Sequence, residues 1–382
     1  MKPSRNFALE VYFAEWEFKA RYNIGGSDLQ SMTLSELLEF ADPGDRTVYE
    51  NLYLGYTETQ GSPELREAIA DTYDHLSPDD ILCFAGAEEG IFCAMHALLK
   101  PEDHALVVFP NYQSAESIPS SICEVTGVPL DPENNWTLDT DDVRSQIRPN
   151  TRLISVNFPN NPTGKILEPD KFNILIEICR EHGVYLFSDE VYRLIERDPS
   201  RRLPQAADLY DKAFSLNVMS KAYGLAGIRI GWIASQDRGL LQSMERIKHY
   251  LSICNSGPSE ILAKIALKNR SEILKRNRSI VDANLDLLNR FFSRHPDLFD
   301  WQVPDGGCIG FPRYKGKDGA TAFTERLVRD AGILLIPSSL YRSELGTVPA
   351  DRFRIGYGRT YLNEALAVLE EHLTERTVIL NA

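Results

Sequence analysis

Lys221 is the residue around which the chemistry of this chain is organised. It stands in Ser220-Lys221-Ala222-Tyr223-Gly224-Leu225-Ala226-Gly227-Ile228-Arg229-Ile230-Gly231, after an apolar strand and before a glycine-rich turn, with Arg229 eight positions on. A lone lysine on a loop is usually a solvated charge. Serine, lysine and arginine grouped with aromatic and glycine neighbours instead suit a covalently held aldehyde cofactor with a phosphate handle. Three further patterns end strand-like runs. Phe84-Ala85-Gly86-Ala87-Glu88-Glu89 leads through small residues into a helix whose first N–H groups, near Ala87 and Glu88, could hold a phosphate, although any strand-to-helix turn can carry small residues. Asn157-Phe158-Pro159-Asn160-Asn161-Pro162-Thr163-Gly164 is a turn dense in amide side chains, or simply a tight loop. Ser188-Asp189-Glu190-Val191-Tyr192 sets a carboxylate at a strand tip and a phenol three residues on, and an Asp there also serves as a helix N-cap.

These groups need a frame, and the hydrophobic pattern supplies one. Short apolar runs at Ile81–Phe84, Ala105–Phe109, Leu153–Val156, Val184–Phe187 and Ile228–Ala234 alternate with helical patterns at Glu88–Leu99 and Pro169–Glu181. The alternation predicts an α/β fold with a mostly parallel, doubly wound sheet, whose ligands bind beyond the carboxyl ends of the strands. Residues 237–296 read as long charged helix broken at Asn255-Ser256-Gly257-Pro258. Strand candidates at Trp301–Val303, Ile333–Ile336 and Phe353–Tyr357, with helices near Ala320–Ala331 and Leu362–Glu375, predict a smaller α+β domain. The expected division is a large ligand-binding domain at 46–285 and a small domain at 286–382, with an N-terminal segment, 1–45, packing on the small domain.

At 382 residues the chain is long enough for two domains. Its 41 Lys and Arg against 55 Asp and Glu give a net charge of −14, the wrong sign for capturing nucleic acid or an anionic membrane, so small molecules are the expected partners. The six cysteines are scattered without a CxxC pair, several in apolar runs, which fits reduced thiols in the cytoplasm. Neither a signal-peptide plan nor an apolar run of membrane-spanning length is seen. The seven histidines show no HExxH pair and no zinc-like spacing with cysteine, so no metal is expected. Walker-type GxxxxGK[ST] and GxSxG motifs are missing, and Gly356-Tyr357-Gly358 lacks the third glycine of a dinucleotide fingerprint.

The ordered set of Tyr56, Gly61-Ser62-Pro63-Glu64-Leu65-Arg66, Asn160-Asn161-Pro162-Thr163-Gly164, Ser188-Asp189-Glu190-Val191-Tyr192, Ser220-Lys221 with Arg229, and Phe353-Arg354-Ile355-Gly356 resembles the class I/II aminotransferases, pyridoxal-phosphate enzymes of fold type I. The resemblance runs from about Tyr53 to Gly358. It implies that Lys221 bonds pyridoxal 5′-phosphate as a Schiff base and later carries the substrate Cα proton. Asp189 would pair with the pyridinium nitrogen, Asn161 and Tyr192 with the phenolic oxygen, and Tyr112 would stack on the ring. The phosphate would rest on the backbone of Ala87 and Glu88, the Ser220 hydroxyl and Arg229; Val218 stands where relatives commonly add a serine, so one phosphate contact is missing or replaced. Tyr56 matches the tyrosine that reaches the neighbouring subunit's phosphate, which implies a homodimer with shared sites. Arg354 matches the clamp on the substrate α-carboxylate. Gly26, in Asn23-Ile24-Gly25-Gly26-Ser27-Asp28, lies where relatives place a substrate loop, although the frequent Gly-Glu-Pro form is missing.

The implied activity is transfer of an amino group from an amino acid to a 2-oxo acid by ping-pong chemistry, in amino-acid metabolism or biosynthesis. On the same scaffold the alternative is a lyase, cyclase or synthase, such as a carbon–sulfur lyase, an aminocyclopropane-carboxylate synthase or a capreomycidine synthase-like enzyme. A remoter alternative is a non-catalytic regulator that binds the cofactor, which the acidic charge and intact Lys221, Asp189 and Arg229 disfavour. The donor, acceptor and pathway stay open.

Overall fold

The computed structural model describes residues 5–381, with side-chain surroundings described as far as Thr374. Its centre is an eight-stranded sheet. In chain order the strands are β1 (Ile81–Phe84), β2 (His104–Phe109), β3 (Glu124–Asp131), β4 (Thr137–Leu138), β5 (Thr151–Asn157), β6 (Tyr185–Asp189), β7 (Ala213–Val218) and β8 (Gly231–Ser235). Their spatial order is β1-β8-β7-β6-β5-β2-β3-β4. The five strands from β7 to β3 run parallel, whereas β8 is antiparallel to both β7 and β1. All residues of β1, β2, β6, β7 and β8 are buried. Strands covered on both faces read as continuous apolar runs rather than alternating ones.

Helices cover the sheet: α2 (Ala87–Leu98), α3 (Pro169–His182), α4 (Arg238–Lys248) and α5 (Gly257–Lys268). In α3, Phe172, Leu175, Ile176 and Cys179 face the core; the helix starts with Pro169 at its first turn and stops at Gly183, which takes the left-handed conformation (φ 65°). The expected break at 255–258 coincides with the start of α5: Asn255 and Ser256 close the gap after α4, and Gly257 and Pro258 open the new helix. A second break at Asn269, where φ is −109°, separates α5 from α6 (Arg270–Arg294).

Beyond α6, Ile309–Gly310, Phe353–Gly356 and Ile336–Pro337 form a three-stranded antiparallel sheet flanked by α7 (Gly319–Asp330) and α8 (Leu362–Asn381). The strand expected at Trp301–Val303 is not formed. Its place is taken by Phe299–Asp300, paired with Arg313–Tyr314, while the Trp301 ring stacks on Phe292 at 4.7 Å and its indole N–H donates to Asn289 Oδ1 at 2.7 Å. Docking on α6 therefore replaces ladder pairing at that position. Likewise Ile228 belongs to a tight turn, and β8 begins only at Gly231.

The N-terminal segment touches both halves. Tyr22 and Asn23 pair in parallel with Ile333 and Leu334. Helix α1 (Ala8–Trp16) instead lies against the segment after β2: the Ala8 N–H donates to Gln113 Oε1 at 3.0 Å, and Gln113 Nε2 donates to Asn6 O at 2.8 Å.

Candidate active site

The carboxyl ends of β5 and β6 lie side by side, with Asn157 in register with Asp189. Asn157 Nδ2 donates to the Asp189 carbonyl at 3.0 Å, and Asn157 Oδ1 accepts the Asn161 N–H at 2.7 Å, so one amide ties the Asn157–Gly164 turn to the strand tip bearing the carboxylate. Asn160 stiffens the same turn by accepting both the N–H (3.2 Å) and the hydroxyl (2.7 Å) of Thr163. Lys221 follows the end of β7 after a short turn. These tips open on a cavity whose wall includes Ala87, Glu88, Tyr112, Asn161, Asp189, Tyr192, Ser220, Lys221 and Arg229.

Two features shape the end of the cavity at α2. Gly86 (φ 99°) precedes the helix, and a Cβ there would lie 2.3 Å from Arg229 Nη2, so only glycine lets the guanidinium approach the first turn. Gly231 is equally constrained, since a Cβ on it would stand 3.0 Å from the Ala87 nitrogen. Arg229 itself adopts the left-handed conformation (φ 53°) and donates to Ala85 O at 3.3 Å. The free N–H groups of a helix start, with a guanidinium beside them, form an anion cradle.

The titratable groups carry the mark of a dry site. Burial pushes the Asp189 carboxyl up to about 7, opposed by the Val191 N–H, which donates to it at 3.2 Å, and by the nearby Lys221. Burial also lowers the Lys221 ammonium from its ordinary value. Its Nζ lies 3.0 Å from Ser27 Oγ. Glu88 is raised to about 7, again chiefly by desolvation. Tyr192 is 1% exposed; its hydroxyl points toward Ser27 without a hydrogen bond of normal geometry, and burial raises it well above the ordinary phenol.

Arg354 is completely buried. Its Nε and Nη2 donate to Gly25 O at 2.9 and 2.7 Å, and Nη1 donates to Asn161 Oδ1 at 3.3 Å and to the Tyr341 hydroxyl. It is thus tethered to Asn161 on the cavity wall, with Phe13 of α1 above its guanidinium at 5.7 Å.

The strand tips thus combine a buried lysine, a buried aspartate and an anion cradle. The model for aminotransferases of class I and II matches residues 46–369. The chain belongs to that family. A solved pyridoxal-phosphate-dependent aminotransferase from Streptococcus suis superimposes with a TM-score of 0.91 and 30% identity, over 98% of this chain and 99% of that one. Capreomycidine synthase of Streptomyces vinaceus is 29% identical over 96% of this chain and 93% of its own. The probable aspartate aminotransferase of Methanocaldococcus jannaschii is 26% identical over 83% of this chain and 84% of its own.

As a class I and II aminotransferase the protein is a fold type I enzyme that uses pyridoxal 5′-phosphate to move an amino group from an amino acid to a 2-oxo acid. The residues present fit that cofactor. Asp189 is a fully enclosed carboxylate with one backbone donor, an arrangement that a cationic ring nitrogen would satisfy. The Tyr192 hydroxyl is a buried donor awaiting an oxygen, and the helix start with Arg229 can receive a phosphate.

Of the candidate cofactor- and substrate-binding residues, Tyr56, Arg354 and Gly26 lie off the cavity wall. Tyr56 is 91% exposed. Arg354 sits behind Asn161, and Gly26 is buried with its N–H donated to Asn23 Oδ1 at 2.9 Å, while its neighbour Gly25 is the one that contacts Arg354. Val218 is buried at the end of β7. The wall also contains Leu9, Glu10, Phe13 and Ser27, which the motifs did not reveal. Ser27 stood inside the marked glycine-containing segment. Glu10 and Phe13 belong to a helix with no motif at all, and only their position against Tyr112 and Arg354 discloses them.

Proposed function

We propose that this aminotransferase works through Lys221 as nucleophile and proton carrier, with Asp189, Tyr192 and Asn161 holding the cofactor ring and Arg354 receiving the substrate carboxylate. The observation that carries this reading is the convergence of Lys221, Asp189, Tyr192 and the α2 helix start on one cavity. Pyridoxal phosphate, when bound, supplies an electrophilic aldehyde carbon and a ring that accepts the electron pair left when the substrate Cα–H bond breaks.

The chain does the rest. A lysine whose charged form is disfavoured by desolvation gives up its proton more readily than an exposed one, which suits both nucleophilic attack and removal of a proton from Cα. Asp189 supplies the buried anion that keeps a ring nitrogen protonated. Tyr192 and Asn161 are placed to hydrogen-bond the ring oxygen, Tyr112 to lie against the ring face, and the Ala87 and Glu88 N–H groups, Ser220 and Arg229 to hold the phosphate. Arg354 offers a planar fork matched to a carboxylate, which lysine could not reproduce. Gly26, beside Gly25, belongs to the segment that borders the substrate carboxylate.

The assembly we propose is a homodimer in which Tyr56 reaches the partner's phosphate. Its near-complete exposure supports a role outside its own subunit. Cytoplasmic residence is supported by six free cysteines, five of them buried. No helix among the described residues is long and apolar enough to cross a membrane. As working domain limits we retain 46–285 and 286–382, with 1–45 as the N-terminal segment, and amino-acid biosynthesis as the setting.

The test is a half-reaction series on the purified holoenzyme. Amino acids added alone should bleach the absorbance of the lysine-bound cofactor, 2-oxoglutarate or pyruvate should restore it, and steady-state kinetics should show parallel ping-pong lines. Release of ammonia or a cyclic amino acid without any acceptor would move the assignment to a lyase or cyclase.

A further inference from the structure

The orientation of the Asn161 amide is set by two donors on one atom. Its Oδ1 accepts the Tyr341 hydroxyl at 2.8 Å and Arg354 Nη1 at 3.3 Å, whereas no hydrogen bond engages its Nδ2 among the described residues. Arginine has donors only, so a flipped amide would set Nδ2 against Nη1, donor against donor. The same flip would leave the hydroxyl proton of the buried Tyr341 without its acceptor. With Oδ1 held in this way, Nδ2 is the amide atom left for the cavity that Asn161 lines.

The two donors are not equivalent. Arg354 spends Nε and Nη2 on Gly25 O and divides Nη1 between Asn161 and Tyr341, contacts that occupy four of the five N–H groups of a guanidinium. A carboxylate gripped by both ends of the fork needs two, so Arg354 receives one only by releasing a present partner, and its contact to Asn161 is the longest of the four. Tyr341 lies off the cavity wall, where no ligand competes for it. Its ring is placed by the backbone and by packing rather than by its oxygen. Ile336 stands in register with Arg354, and the tight turn Ser338–Tyr341 brings the phenol back beside the guanidinium, 5.8 Å from its carbon to the ring centroid, with the Phe311 ring edge-on at 5.8 Å. Burial holds the phenol well above its ordinary value, so it keeps the proton that it donates.

We propose that Tyr341 is a positioning residue: its hydroxyl fixes Asn161 Oδ1 and so keeps Nδ2 turned to the cavity as a donor to the cofactor's ring oxygen, including when Arg354 has turned to a substrate carboxylate. The inference rests on the reading that Asn161 hydrogen-bonds that oxygen. A donor there stabilises the oxygen as an anion, which lowers the pH at which the lysine-bound cofactor gives up the proton shared between its nitrogen and the oxygen. Without the Tyr341 hydroxyl the amide is held by the longer Arg354 contact alone, the flipped form turns an acceptor toward the ring oxygen, and the transition moves to higher pH.

Absorbance of the holoenzyme followed against pH tests this without reading turnover. In Tyr341→Phe the transition should rise by about 0.5–1 pH unit, the shift to which the net worth of one hydrogen bond converts. Asn161→Ala should raise it at least as far, and the double variant should add less than about 0.3 unit to Asn161→Ala alone, because the tyrosine acts through the amide. In steady state Tyr341→Phe should lower kcat and leave KM for the amino acid within about twofold. Circular dichroism checks that the variant folds, and Tyr341→Met, which fills the space without a donor, replaces it if it does not. A folded variant whose transition stays in place while Asn161→Ala moves it overturns the inference and leaves the reading of Asn161 intact. A raised KM with an unmoved transition also overturns it and sets Tyr341 at the substrate. If Asn161→Ala itself leaves the transition where it was, the reading of Asn161 falls and the inference with it.

Discussion

Lys221 points its Nζ at the hydroxyl of Ser27, 3.0 Å away, although the two residues lie 194 positions apart in the chain. Ser27 in turn accepts the Cys308 thiol through its carbonyl oxygen at 3.4 Å. Burial pushes that thiol up to about 12, so it stays protonated and adds no charge near the lysine. The serine therefore fixes where the amine sits without fixing its charge. Ser27→Ala should leave cofactor binding intact and lower kcat several-fold with little change in KM, as expected for a lost orienting hydrogen bond worth about 1 kcal/mol.

Lys221→Ala should abolish the absorbance of the covalently held cofactor and reduce turnover by at least about 10^3-fold, because nucleophile and proton carrier vanish together. Absorbance titration with pyridoxal phosphate and single-turnover measurement read the two losses separately. Retention of the bound-cofactor band in this variant would contradict the assignment of the lysine.

Asp189 predicts a pH-dependent stability in the cofactor-free protein. Its carboxyl is raised from 3.8 to about 7 by burial, so the contribution it makes is fully present below the unfolded value near 4 and is lost as pH rises through 7. Asp189→Asn should therefore raise the melting temperature of the cofactor-free protein at pH 8 and do so less at pH 5. The same variant should lower turnover by about 10^2-fold or more, since the ring nitrogen loses its anion. Scanning calorimetry at the two pH values checks the first outcome, and a melting temperature that falls equally at both contradicts it.

Helix α1 roofs the cavity through two contacts to residues of the site: Tyr112 donates to Glu10 Oε1 at 2.8 Å, and Phe13 lies over Arg354. A hydrogen bond to a charged acceptor is worth about 1.5–3 kcal/mol when sheltered and less here, where Glu10 is open to solvent. Glu10→Ala should accelerate hydrogen exchange across residues 8–16 without lowering the global melting temperature by more than about 2 °C. Unchanged exchange in that segment would show that Gln113 alone holds the helix.

Arg354→Lys should raise KM for the amino acid by about 10^2-fold and leave the cofactor spectrum unchanged, because lysine keeps the charge but not the fork. A spectrum that shifts with the substitution would place Arg354 at the cofactor rather than at the substrate.

Most of the site was legible because its members sit in continuous motifs at strand tips. Asn161, Asp189, Tyr192, Ser220 and Lys221 each follow a run of buried apolar residues that had to be a strand, so their meeting at one edge of a parallel sheet followed from the pattern. Arg229 was legible through its spacing from Lys221, and Gly86 through its place in a small-residue turn. What stayed hidden depended on contacts between distant segments. Nothing in Ala8–Trp16 indicates that Glu10 meets Tyr112, and nothing local reveals that Asn269 divides the long helical stretch. Trp301 shows the same limit from the other side: its segment has strand composition, yet the ring found a better partner on α6 than in a ladder.

The docking of the N-terminal segment has a consequence for how the enzyme is made. Tyr22 pairs with Ile333, and Ala8 with Gln113, so residues 8–23 are synthesised well before the partners that hold them. During translation the sheet can assemble around its own consecutive strands while Phe7, Leu9 and Phe13 stay uncovered, a period in which chaperones or aggregation compete for them. The roof of the active site is thus synthesised well before Ile333 and Arg354, and its full set of contacts forms only after these have emerged.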